Sequence, residues 1–330
     1  MRIAICFILV AVSAWAQPRI TAVAQGADFS TTLAPGTLAS VIGTGFAASA
    51  ISASTVPLPT TLSNVSVNVN GRAVPLTFAN ATQINFQLPV GTTPGTASLT
   101  VTNGAQASAA VSFAVSAYAP GVFQYGAGHG VIQNQDYSLN SATNRAAPGT
   151  VVTVYLTGIG ATSPAVTDGN IAPSLPLAMP LSAGRATIAG VSAPVLFLGL
   201  TPGNVGLAQA NIQIPPLVSD GDYPLVIQLG GVSSKPVIIS AKASKGAGLP
   251  DGATCIDGPV DSITFSLQFK TPGLADEVII DGVTLCAKCA VKPPIYPEFV
   301  SKLEEARTTG INVDACYDGA GAVYLVRMRP

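Results

Sequence analysis

Set against itself, the chain carries a divergent duplication: Ala34-Pro35-Gly36-Thr37 returns as Ala147-Pro148-Gly149-Thr150. Two more pairings follow in the same order. Asn70-Gly71 with Pro75 and Phe78 corresponds to Ala189-Gly190 with Pro194 and Phe197, and Gln83-Ile-Asn-Phe-Gln-Leu-Pro89 corresponds to Gln209-Ala-Asn-Ile-Gln-Ile-Pro215. The offset grows from 113 to 119 to 126, so the second copy has gained insertions of six and seven residues. Insertions between matched segments belong in surface loops, and one fold has to satisfy both copies.

That fold is built from strands. Val65, Val67 and Val69 alternate with Ser66 and Asn68; Asn70-Gly71 then supplies the residues of a tight turn, and Val74, Leu76 and Phe78 alternate back. Strict alternation buries one face of a strand, and Asn-Gly tolerates the positive φ angles that a two-residue hairpin needs. Ile84, Phe86 and Leu88 repeat the pattern, as do Leu99 and Val101 before Asn103-Gly104, and Val111, Phe113 and Val115 after it. In the second copy Val152, Val154 and Leu156, then Ile212 and Ile214, then Leu225, Ile227 and Leu229 before Gly230-Gly231 do the same. Six or seven short strands in some 100 to 125 residues predict two tandem immunoglobulin-like β-sandwiches, at 17–117 and 118–242.

Charge then divides the chain. Residues 17–242 hold six Lys/Arg and five Asp/Glu, whereas 243–330 hold eight and eleven, together with every Glu and the cysteines Cys255, Cys286, Cys289 and Cys316. A Gly/Ser/Lys-rich stretch at 243–252 reads as the linker, and 253–330 as a separate module. Its alternating strand from Ile263 to Phe269, a second from Val278 to Cys286, a helix opened by Pro297 and stopped by Gly310, and strands Ile311 to Tyr317 and Val323 to Met328 predict a small α+β unit of order ββαββ.

At the other end, Arg2 precedes an apolar run from Ile3 to Val12 and the small-residue site Ala14-Trp15-Ala16, which predicts a signal peptide over residues 1–16. No later segment has the roughly 20 uninterrupted apolar residues of a spanning helix. Export places the four remaining cysteines in an oxidising compartment, where structural disulfides are expected of them. If Cys286 and Cys289 continue one strand they face opposite sides, which favours separate partners in Cys255 and Cys316, in either order.

The series Pro35-Gly36-Thr37, Asn70-Gly71, Gln83 to Pro89, Val101 to Gly104, His129, Gln133-Asn-Gln-Asp-Tyr-Ser-Leu-Asn140, Val154 to Gly158, Pro194 to Phe197 and Gly221 to Leu225 resembles the Solibacter-type C-terminal domain of acidobacterial secreted proteins. The resemblance spans about 25–242. It implies secretion and tandem folds similar to the IPT/TIG immunoglobulin-like type, and it brings no catalytic residues. For the last 80 residues no family resemblance is found.

Candidate chemistry is sparse. Cys286-Ala-Lys-Cys289 has the spacing of a zinc knuckle or a redox pair. Yet the second knuckle is missing, and Pro293-Pro294 stands where a redox motif would open a helix. His129, the one histidine, lies in a Gly-rich segment with no G-x-S-x-G elbow to serve. Asp28, Asp136, Asp168, Asp220 and Asp222 are the only carboxylates of residues 17–242; Asp168-Gly169 and Ser219-Asp-Gly-Asp222 have turn composition rather than that of a calcium loop. Glu304-Glu305 reads as a solvated helix face. Gly43-Thr-Gly45 and Gly158-Ile-Gly160 are too short to cradle a phosphate.

With 15 basic against 16 acidic residues, the chain lacks the Lys/Arg surplus a nucleic-acid track needs. The sequence therefore predicts a secreted, non-enzymatic structural or interaction protein, extracellular or at the cell surface with the periplasm as the other exported location, its partner an extracellular protein or glycan. No cofactor and no metal are expected. The competing expectations are an exported enzyme or thiol/metal protein with its chemistry at the C-terminal cysteines, and a carbohydrate-binding sandwich.

Overall fold

The computed structural model describes residues 17–215 and 220–243 in full and, beyond them, the backbone of six strands between 254 and 328. The expected signal peptide at 1–16, all but residue 243 of the expected linker at 243–252, and the helix expected at 297–309 lie outside the described residues. The described residues through Lys242 form one unit, and the strands from Thr254 onward belong to another.

The alternation in the first copy produces two facing sheets. One runs in the order Arg19–Gln25, Leu38–Thr44, Gln83–Gln87, Leu76–Ala79, Ile51–Ser52; the other in the order Thr32–Leu33, Val111–Val115, Gly95–Asn103, Val65–Val69, Thr61–Leu62. Val65, Val67, Leu99 and Val101 of one sheet share a core with Val41, Leu76, Ile84 and Phe86 of the other, all fully buried. Each such side chain contributes about 1.5–3 kcal/mol when taken from water, so the register is fixed by which face is apolar.

The second copy repeats the plan. Gly121–Val122, Val151–Thr157, Ala208–Gln213 and Val195–Leu200 make one sheet; Gln124–Tyr125, His129–Gly130, Val237–Ala241, Gly221–Leu229, Gly184–Ile188 and Val191–Ala193 make the other. The duplication extends to single hydrogen bonds. The buried Ser108 Oγ accepts the Val101 amide at 3.0 Å, and the buried Ser234 Oγ accepts the Ile227 amide, also at 3.0 Å. Gly36 donates to the Leu88 carbonyl and Gly149 to that of Ile214. At the hairpin, Asn70-Gly71 has φ of 50° and 79°, and Ala189-Gly190 has 54° and 76°. The Asn70 side chain accepts the Ser98 amide at 2.9 Å; the equivalent of Ser98 is Pro224, which has no N–H to give, so the second copy loses nothing at that contact by carrying Ala.

Beyond residue 253 the strands form two three-stranded antiparallel sheets. One has the order Thr254–Gly258, Val313–Tyr317, Val323–Met328; the other has Val260–Thr264, Leu274–Ile280, Val283–Ala290. The single strand expected from Val278 to Cys286 is instead a hairpin, with Ile280 opposite Val283. In the sequence Asp281-Gly282 has turn composition, a signal that the apolar run on either side obscures. In the first of these sheets Cys255 lies opposite Cys316.

Candidate functional site

The two copies meet through hydrogen bonds that no strand pattern foretells. Gln25, buried at the end of its strand, donates Nε2 to the Ala119 carbonyl at 2.7 Å. Thr157 Oγ1 accepts the Leu38 amide at 2.9 Å. The largest contribution comes from the segment holding the six-residue insertion of the second copy. There the turn at Asp168-Gly169 reaches the first copy: the Asp168 carboxylate accepts the Val90 amide at 2.7 Å and lies 3.1 Å from the Arg72 guanidinium. Gly169 donates to Gln87 Oε1 at 2.7 Å and accepts the Leu58 amide at 2.8 Å. Within the second copy, Gly158 lets the chain pack against Ala119, whose carbonyl also accepts from Gln25, since the φ of Gly158 is +77° and a Cβ there would stand 1.9 Å from that carbonyl oxygen. Gly160 is equally close to the Ala117 carbonyl, so the Gly158-Ile-Gly160 motif is a close-packing device.

A groove of about 500 Å³ opens beside this junction, its walls drawn from residues 28–32, 116–120 and 232–235. Phe29 and Tyr118 supply its rings, and half of the other lining residues are Ser or Thr. Phe29 is 67% exposed and holds φ of 58°, a left-handed conformation that costs a non-glycine residue about 1–2 kcal/mol. The surrounding loop imposes it: Gln25 N–H donates to the Ser30 carbonyl and Phe29 N–H to the Gln25 carbonyl. The buried Asp28 carboxylate accepts both the amide and the hydroxyl of Ser30, at 2.9 and 2.7 Å. Lys235, from the second copy, donates Nζ to the Asp28 carbonyl at 2.9 Å and stands 3.9 Å from its carboxylate. Tyr118 packs so closely on Gly230 that a Cβ there would lie 2.1 Å from the ring. The Phe29 backbone and the Tyr118 ring are thus held in place by the fold itself.

Among the described residues, the side chains singled out in the sequence do not converge. His129 stacks against Tyr125 with ring centroids 5.6 Å apart, and its buried Nδ1 has no hydrogen-bond partner. Asp136 is capped by the Ser138 hydroxyl and amide, which hold its carboxyl below the usual carboxylate range. Asp222, expected in a turn, opens the Gly221–Leu229 strand and accepts the Ser240 hydroxyl at 2.6 Å. Among the described residues no three His, Cys, Asp or Glu side chains gather as metal ligands would. The motif from Gln133 to Asn140 covers a sheet edge. Asn140 donates to the Ser240 carbonyl and accepts its amide, both at 2.8 Å, mimicking a neighbouring strand. Phe29 went unnoticed in the sequence reading, although an aromatic residue in the polar segment Asp28 to Thr32, outside any alternating run, was its signal.

Residues 22–115, the first sheet pair, match the IPT/TIG domain, an immunoglobulin-like family. No curated protein matches the sequence. Among solved structures, the chain is similar to SGBP-B of the Bacteroides ovatus mixed-linkage glucan utilization locus, in complex with a mixed-linkage heptasaccharide. The identity is 13%, over 77% of this chain and 49% of that one, with a TM-score of 0.30. It is also similar to the Escherichia coli adhesin FdeC, at 12% identity over 91% and 74% with a TM-score of 0.23. Gamma-CGTase of alkalophilic Bacillus clarkii follows at 12% over 70% and 26%, with a TM-score of 0.24. The chain spans about half the length of the first of these and about a quarter of the last. Such TM-scores leave function to the residues. Among the described residues no helix is long and apolar enough to cross a membrane.

Proposed function

We propose that this chain is an exported, non-enzymatic binding and structural protein, acting at the cell surface or outside the cell, and that the groove at the junction of its two copies takes a neutral saccharide. The carrying observation is that Phe29 and Tyr118 line one groove together with Ser30, Thr31, Thr32, Ser116 and Ser233. Sugar rings present apolar C–H faces and equatorial hydroxyls, and aromatic rings beside Ser and Thr match both. The lone acid–base pair in the groove, Asp28 and Lys235, is spent on internal contacts, which leaves little charge to favour an anion. Export is supported by the expected leader over 1–16 and by the resemblance to secreted acidobacterial proteins. A non-enzymatic role is supported by the separate engagement of Asp28, Asp136, Asp168 and Asp222 in hydrogen bonds within the fold.

The test is affinity electrophoresis of the full chain in gels containing soluble β-glucan, xyloglucan or dextrin, each at neutral pH. At least one polymer should retard the protein, and Phe29→Ala should weaken retardation about tenfold while Phe29→Tyr preserves it. Unretarded migration in all three gels, or equal retardation of Phe29→Ala, sinks the assignment.

A further inference from the structure

The cysteine register in the second unit carries an inference that does not depend on the groove. Thr254–Gly258 and Val313–Tyr317 run antiparallel, and Cys255 is the direct partner of Cys316. Directly opposed residues in an antiparallel pair have Cα atoms about 4.5 or 5.5 Å apart, depending on whether the pair is hydrogen-bonded. Both spacings fall inside the roughly 4.4–6.8 Å window that a disulfide requires. The other two cysteines belong to a different sheet, where Cys286 opposes Val278 and Cys289 opposes Ala275. They cannot bridge each other while the strand is extended, because three residues along a strand span about 10 Å, beyond the limit of about 7 Å.

We infer that Cys255 and Cys316 form a disulfide across the Thr254–Gly258 and Val313–Tyr317 strands, leaving Cys286 and Cys289 outside it. The bond forms by thiol–disulfide exchange with an external disulfide, small-molecule or protein-borne, as oxidant. One cysteine thiolate attacks a sulfur of the oxidant and expels the first thiol. The other then attacks the mixed disulfide and expels the second, so the oxidant leaves as two thiols carrying the two electrons and two protons. The link closes the chain between the first and fifth strands of this unit, so that every residue from 256 to 315 lies within one covalent loop.

The sequence makes the test unambiguous. Trypsin cuts after Lys245, Lys270, Lys288, Lys302, Arg307 and Arg327, while Lys292 is protected by Pro293, so each cysteine falls in its own peptide: 246–270, 271–288, 289–302 and 308–327. The full chain is incubated with oxidised glutathione, its remaining thiols are alkylated, and it is digested without reductant for mass spectrometry. The expected species is 246–270 joined to 308–327, lost on adding dithiothreitol, and it should persist in the Cys286→Ser/Cys289→Ser double variant. A link from Cys255 or Cys316 to peptide 271–288 or 289–302, or glutathione or alkyl adducts on both Cys255 and Cys316, overturns the pairing.

Discussion

Asp168 accepts the backbone amide of Val90 at 2.7 Å, although 78 residues and the boundary between the two copies separate them. The same carboxylate faces Arg72, whose side chain is 69% exposed against 12% for Asp168. An exposed ion pair is worth at most about 1 kcal/mol, whereas a part-buried amide stripped of a charged acceptor loses about 1–3 kcal/mol. Asp168→Ala should therefore lower stability in urea titration by about 1–3 kcal/mol and speed amide exchange at Val90 and Leu58. Arg72→Ala should stay within about 0.5 kcal/mol. Equal effects would show that the ion pair, and not the amide bond, holds the copies together.

The two glycines with φ of +77° and +79°, Gly158 and Gly71, separate strain from collision. A Cβ at Gly71 meets nothing within 4 Å, whereas one at Gly158 meets the Ala119 carbonyl oxygen at 1.9 Å. Gly71→Ala should cost about 1–2 kcal/mol, the left-handed penalty alone. Gly158→Ala should cost at least twice that in thermal unfolding, because backbone must move.

Ala189 adopts φ of 54° where the first copy has Asn70. Asn tolerates that region better than Ala, so Ala189→Asn should stabilise the protein by about 0.5–1 kcal/mol, seen in calorimetry as a rise of about 2–4 °C. A fall in Tm would mean that the missing Ser98-type donor matters more than the backbone strain.

Ser108 and Ser234 occupy equivalent buried sites and accept equivalent amides at 3.0 Å. Replacing either by Ala strands a buried N–H, which costs about 1–3 kcal/mol. The two losses should agree within about 0.5 kcal/mol in denaturant titration; a large difference would break the structural equivalence of the copies.

The Asp136 carboxyl is held low chiefly by the Ser138 hydroxyl and next by its amide. A carboxyl depressed on folding adds stability above its unfolded value of about 3.9, and loses it as pH falls through the folded value. An NMR titration should place Asp136 below that unfolded value and Ser138→Ala should raise it. An unchanged titration in the variant would remove the hydroxyl as the cause.

Much of the first unit is legible in the sequence because alternation at Val65, Val67 and Val69, or at Leu225, Ile227 and Leu229, is the direct imprint of a half-buried strand. The turn at Asn70-Gly71 is equally plain. What escaped has a common origin in contacts between distant segments: nothing local marks Gln25 as the partner of Ala119, or Lys235 as that of Asp28. The break between Leu274–Ile280 and Val283–Ala290 is hard to see for the opposite reason, since the apolar residues on either side outweigh the turn composition of Asp281-Gly282.

Finally, the outer margin of Val237–Ala241 is occupied along its length: Ile238 donates to Gly128, Ser240 is held by Asn140 and Ala146, and Lys242 donates to Ala146. With eleven charges over residues 17–242, this region cannot keep its neighbours away by electrostatic repulsion, and instead offers them no vacant amide at that margin. Its resistance to fibril growth through that face, followed by thioflavin fluorescence, should be indifferent to ionic strength, and Asn140→Ala, which uncovers only the Ser240 amide, should weaken it without abolishing it.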